Sequence, residues 1–135
     1  MHPLRKLRET GSSTPAQVSE LLAKDAVFNS PILARSIQGR EPLAAIFAQS
    51  SSTRGSGAYT AEHKLDERTT FLRWEGTMDG HKIESLEVIV DDADGLIIER
   101  TIALRPYPAV KLFRDAMYAS LKDKLPPDVW DYPSP

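Results

Sequence analysis

"DAVFNSPILARSIQGREPLAAIF", residues 25 to 47, decides how the chain folds. Ala26, Val27 and Phe28 read as a strand, and Asn29-Ser30-Pro31 as a turn in which the two polar side chains bond the backbone. "RSIQG" reads as a second short strand, after which Arg40-Glu41-Pro42 opens a helix carrying Leu43, Ile46 and Phe47 on one face. Upstream, "HPLRKLRET" has the pattern of a short helix within a segment 1–13, and the Gly-Ser-Ser-Thr-Pro run breaks it. Thr14 is a good N-cap and Pro15 suits the first helical position. "PAQVSELLAK" is therefore predicted as a helix burying Val18, Leu21 and Leu22. Downstream, "SSSTRGSGAYT" is rich in Ser and Gly and reads as a flexible loop; its "RGSGA" has too few glycines in register for a phosphate loop.

Beyond residue 58 the periodicity changes from helical to alternating, and four strands are predicted at about 59–66, 69–78, 81–91 and 95–105. Asp79-Gly80 and the Asp-rich "DDADG" supply hairpin chemistry, because Asp and Gly tolerate the positive φ of tight turns. Arg105-Pro106-Tyr107-Pro108 stops the sheet, since proline cannot donate to the ladder. A C-terminal helix over 109–125 then places Leu112, Phe113, Ala116, Met117 and Leu121 along one stripe, and Pro126-Pro127 ends it ahead of a tail, 126–135. Helices first and an antiparallel sheet after them give an α+β layout in one domain, 1–135, with helices covering one sheet face.

Composition narrows the function classes. A chain of 135 residues, 41% hydrophobic and 27% charged, is large enough for one core without a staple. Cysteine is absent, so disulfides and thiolate chemistry are excluded. A formal charge of −2 with dispersed Lys and Arg argues against a nucleic-acid partner. No segment has the length of a signal peptide's apolar core or of a membrane span, which points to a cytoplasmic protein with no membrane partner. Nothing in the pattern calls for a cofactor or a metal; His81 beside Asp79 is a pair at a hairpin tip.

"LLAKDAVFNSP", a glycine at 39 before a helix, and "DGLIIERTIALRP" resemble the nuclear transport factor 2-like superfamily, which includes SnoaL-like polyketide cyclases, ketosteroid isomerases and limonene epoxide hydrolases. The resemblance covers about residues 14 to 108. It implies a conical half-barrel, a curled antiparallel sheet packed on the N-terminal helices around an apolar pocket, usually in a homodimer joined through the open sheet face. The C-terminal helix is an addition. In the isomerases the catalytic base is an Asp just before the proline of a stretch similar to "DAVFNSP"; that position is Ser30 here, and serine without a partner base does not shuttle protons near neutral pH. The tyrosine donor of the isomerases' first helix is also missing, with a Lys near the matching place. Their third group, a protonated Asp, corresponds to Glu87.

Pairing Glu87 opposite Arg100 and Ile89 opposite Ile98 gives a complementary register for the last hairpin, whereas a one-residue slip would oppose Glu87 to Glu99. The guanidinium keeps Glu87 ionised, so it does not donate as the isomerase acid does. The pair is either structural or a pocket pair that orients an anionic or carbonyl ligand. His63 alternates with Tyr59, Ala61 and Leu65 and is predicted inward, as a hydrogen-bonded core residue, a general acid or base, or a metal ligand. Trp74 shares its parity with Leu72 and Met78 and is core or ligand platform. The candidate catalytic residues are His63, Glu87 and Arg100, and the candidate pocket lining is Asn29, Ser30, Trp74, Ile89, Ile98 and Ile102.

Three functions fit this reading. A binding domain with an apolar cone for a small hydrophobic ligand is preferred. The others are a cofactor-independent hydrolase, cyclase or isomerase without ketosteroid isomerase activity, and a dimeric interaction module whose cone is filled by its own C-terminal helix or Trp130. Phe71, Leu86, Val88 and Val90 on the sheet face turned away from the helices point to a homodimer.

Overall fold

The computed structural model describes residues 1–11 and 13–131. Its elements run α1 (Pro3–Glu9), α2 (Pro15–Ser19), β1 (Leu22–Asn29), β2 (Ile37–Gln38), α3 (Arg40–Thr53), β3 (Gly57–Asp66), β4 (Thr69–Met78), β5 (His81–Asp91), β6 (Ile97–Arg105), α4 (Tyr107–Leu121) and a 3₁₀ turn, Pro127–Val129. The six strands form one sheet in the order β2-β1-β6-β5-β4-β3, antiparallel except where β1 runs parallel to β6. The sheet curls around α3 and α4, with α1 and α2 at its flank: the α+β cone that the sequence predicts. Residues 132–135 of the expected tail, and Ser12 in the helix-breaking run, lie outside the described residues.

Local chemistry accounts for most element boundaries. Thr14 caps α2 in a complete capping box, its side chain accepting from the Gln17 N–H while Gln17 returns the bond to the Thr14 N–H. Asp79 and Gly80 both have positive φ, 48° and 80°, as a two-residue hairpin of matching twist requires. In the next turn the Asp92 carboxylate accepts from the N–H groups of Asp94 and Leu96, and Gly95 takes a φ of 82°.

Five boundaries or orientations depart from the sequence reading. α2 stops at Ser19 and "LLAK" enters β1, because Leu22 pairs with Ile97 and the Leu21 carbonyl accepts from Ile97 N–H at 2.8 Å; sheet pairing outweighs helix propensity there. The Ser/Gly stretch is not one flexible loop: α3 continues through Thr53 and β3 begins at Gly57. The last hairpin pairs Glu87 with Ile102 and Ile89 with Arg100, two residues from the expected register. One residue comes from the turn, where Asp92 N–H bonds the Leu96 carbonyl, and one from a bulge that leaves Ile98 unpaired and exposed. A bulge at Thr60, between the pairs Tyr59–Trp74 and Ala61–Arg73, reverses the parity of β3 and turns His63 outward. The C-terminal helix is also shifted, spanning 107–121 rather than 109–125.

The core is continuous from Leu4 through Val18, Leu22, Phe28, Leu43, Ile46 and Phe47 to Leu72, Ile89 and Ile97. α4 completes it with Ala109, Phe113, Met117 and Leu121, and Leu125, Val129 and Trp130 close over the end.

Candidate functional site

At the centre of the cone Arg100 donates from Nε to Glu87 Oε2 at 2.7 Å, and its Nη2 lies against the same oxygen. The side chains are 1% and 2% exposed. Both point inward from neighbouring strands, and the two-residue offset makes them diagonal partners, which long side chains still span. Arg100 also sits over Phe47, 4.5 Å from the ring centroid, and over Phe28 at 5.8 Å. Burial alone would raise the Glu87 carboxyl, but Arg100, Arg8 and Arg54 together hold it below the usual carboxylate range. Glu87 is therefore an ionised, fully engaged acceptor.

The other candidates are scattered. Ser30 Oγ accepts from Ile32 N–H at 3.2 Å, the turn-forming bond that its sequence context predicts. Asn29 donates to Thr101 Oγ1 at 2.8 Å and accepts from Ser36 Oγ, fastening the β1–β2 turn to β6. His63 is exposed on the outer sheet face, its ring stacked on Phe71 with centroids 6.5 Å apart, so it does not join Glu87 and Arg100. Ile98 is exposed through its bulge, and Ile97 takes the core position instead. Trp74, Ile89 and Ile102 are buried and inward. No group of three or more His, Asp or Glu among the described residues is placed to hold a metal ion.

The expected apolar pocket is nearly full. Phe28, Ile46 and Ile102 face Phe113, Met117, Leu121, Leu125 and Trp130 across a remnant of about 20 Å³, space for about one water molecule. The C-terminal segment is fastened over the turn that holds Ser30: Ala34 N–H bonds the Val129 carbonyl at 2.7 Å, and Arg35 pairs with Asp128 at 2.8 Å.

Arg54 separates this remnant from a larger space, because it lines both. The second is an opening of about 650 Å³ bounded by Arg8, Ser51, Arg54, Gly57, Tyr59 and Trp74, where the end of α1, the end of α3 and the start of β3 meet. Arg54 is only 8% exposed; its Nη1 donates to Ser85 Oγ at 3.4 Å and its guanidinium lies 4.9 Å from the Trp74 ring centroid. The sequence reading missed this residue, having assigned it to a loop. The available signal was the helix period: Leu43, Phe47, Ser50 and Arg54 continue one inward stripe. Arg8 likewise follows buried Leu4 by one helical turn.

No family model matches the sequence, and no curated protein does. Solved structures do. An uncharacterized protein of Silicibacter pomeroyi with a cystatin-like fold superposes with a TM-score of 0.82 at 24% identity, over 92% of this chain and 89% of that one. A protein of Burkholderia xenovorans described as NTF-2 like and of unknown function gives 0.63 at 12% identity, over 78% and 80% of the two chains. The chain has the nuclear transport factor 2-like fold. Among proteins of this shape, a steroid delta-isomerase of Pseudomonas aeruginosa gives 0.80 at 21% identity, over 87% and 85%. At these identities the likeness concerns the nuclear transport factor 2-like fold alone.

Proposed function

We propose that the protein is a small-molecule-binding domain of SnoaL-like type that takes its ligand at the Arg54 opening rather than in the apolar cone. The observation that carries this reading is the pairing of the two spaces: the cone is packed by α4 and Trp130, while the opening beyond Arg54 has a volume within the roughly 300–1,000 Å³ of small-molecule pockets. Binding without turnover is favoured because the groups that could move a proton do not converge. Ser30 is committed to its turn, Glu87 to Arg100, and His63 lies on the other face.

Native mass spectrometry of the purified full chain tests the proposal. A retained molecule, released on denaturation, is expected, together with a change in its occupancy when Trp74 is replaced by leucine. Protein that is always ligand-free, and whose melting temperature no compound in a chemically diverse set raises, would remove the binding function. The filled cone favours a second reading, the dimeric interaction module, which that negative result would leave in its place.

A further inference from the structure

The proposal above leaves the ligand's chemistry open, and the unpaired polar atoms around the opening bear on it. Buried side-chain atoms without a hydrogen-bond partner include Arg8 Nη1, Ser51 Oγ, Arg54 Nε and Tyr59 OH. All four of these residues line the same opening. Buried polar groups are normally satisfied, so four unpaired groups on residues around one opening mark a missing partner.

Charge indicates which kind. Arg8, Arg54 and Arg100 surround one carboxylate, Glu87, whose hydrogen bond goes to Arg100. Arg54 meets a serine hydroxyl and the faces of Trp74 and Phe113, the latter at 5.9 Å, and among the described residues no carboxylate hydrogen-bonds it. A desolvated guanidinium without a counter-ion is costly. Burial, then Arg8 and Arg100, pull Arg54 well below the ordinary arginine range, with Glu87 and Tyr59 opposing them only in part. Glu9, the one acid among the described residues that line the opening, is taken by Arg5 Nε at 2.9 Å.

Resting on the reading of this opening as the binding site, we propose that its ligand is a small organic carboxylate. The anionic head is held by Arg54 and Arg8 and receives further bonds from the Tyr59 and Ser51 hydroxyls. A carboxylate matches the planar donor fork of a guanidinium. An organic body is called for because the opening is far larger than an inorganic anion fills and has the Trp74 indole as one wall.

The test uses the full chain at constant ionic strength, with sodium benzoate and phenylacetate as probes, benzamide as the neutral isostere, and inorganic phosphate and chloride as anion controls. The two carboxylates are expected to raise the melting temperature saturably while benzamide, phosphate and chloride do not. Arg8→Met and Tyr59→Phe each weaken benzoate, Arg8→Met by about tenfold or more, as loss of a charged hydrogen bond implies; Arg54→Met abolishes the response. Should Arg54→Met fold poorly, Arg8→Met and Tyr59→Phe carry the test. Benzamide binding as tightly as benzoate, phosphate binding in place of the carboxylates, or benzoate affinity indifferent to Arg8→Met and Tyr59→Phe would each overturn the inference. If a neutral molecule is retained in native mass spectrometry while no carboxylate binds, the carboxylate assignment falls and the binding site stands; if neither is seen, both fall.

Discussion

Among the described residues Glu87 is the single buried anion beside three arginines, and this makes its removal the most damaging change at the centre of the cone. Arg100→Met leaves Glu87 with Arg8 and Arg54 still nearby, whereas Glu87→Gln leaves every guanidinium uncompensated. Glu87→Gln is expected to destabilise by about 3–5 kcal/mol and Arg100→Met by less, with the double mutant short of the sum; urea denaturation of the four proteins measures this. Equal single costs that add without coupling would mean that Glu87 does not neutralise the cluster. The pH dependence has a definite sign. The folded carboxyl lies below its unfolded value of about 4.3, so the unfolded chain binds the extra proton as pH falls. The contribution is complete above about pH 4.3 and is lost as pH drops through the folded value. The stability gap between wild type and Glu87→Gln should therefore narrow in acid and stay constant from about pH 5 to 8. A gap that widens in acid would contradict the assignment. At this scale the sequence showed that Glu87 and Arg100 are partners, because opposite charges on inward parities find each other. It could not show that Arg54 and Arg8 are too, since their inward aim depends on where α3 ends and how α1 docks.

At the scale of the elements, β3 and β4 hold Trp74 in a slot made by two glycines. A Cβ added at Gly57 would lie 2.3 Å from Trp74 Cζ2 and 2.6 Å from the Glu75 carbonyl oxygen; one added at Gly76 would lie 2.4 Å from Trp74 Cη2. Replacing a strand glycine by alanine ordinarily helps by about 0.5–1 kcal/mol. Here the sign reverses: Gly57→Ala should cost about 1–3 kcal/mol by forcing the indole or the strand aside, as thermal or chemical denaturation would record. Unchanged or improved stability would show that the slot is loose. The sequence reading took Gly57 for a loop residue and placed Gly76 within the strand 69–78, and the Ser/Gly stretch around Gly57 also hid the end of α3. Elsewhere element chemistry was local and legible: the Thr14 capping box, the Asp79-Gly80 turn, and the β4 and β5 limits, which match the prediction residue for residue. Errors arose where a bulge, which has no composition of its own, added a residue: the one at Thr60 reversed the parity of His63, and the one at Ile98 put Ile97 in the core place expected for Ile98.

For the whole molecule, the outer sheet face presents Phe71, Leu86 and Val88 in adjacent rows, with Leu86 38% exposed. We propose that a second copy covers it, as an apolar face of this kind favours. Sedimentation at micromolar concentration should then give particles near twice the chain's 15.0 kDa, and Val88→Glu should return them to monomers. Wild-type protein that sediments as monomer throughout would sink the proposal.

The α+β class, the strand spans and the amphipathic stripe of α4 were determined by the sequence, because periodicity and turn chemistry act over a few neighbouring residues. Which cavity stays open was decided only by the tertiary structure. The stripe Phe113, Met117 and Leu121 states that α4 buries one face, but nothing local states against what. Once α4 and Trp130 pack into the cone, the apolar space expected there is consumed, and the free volume lies beyond Arg54 among unpaired donors. Packing and charge balance are sums over residues distant in the chain, and they exist only when the fold has brought those residues together.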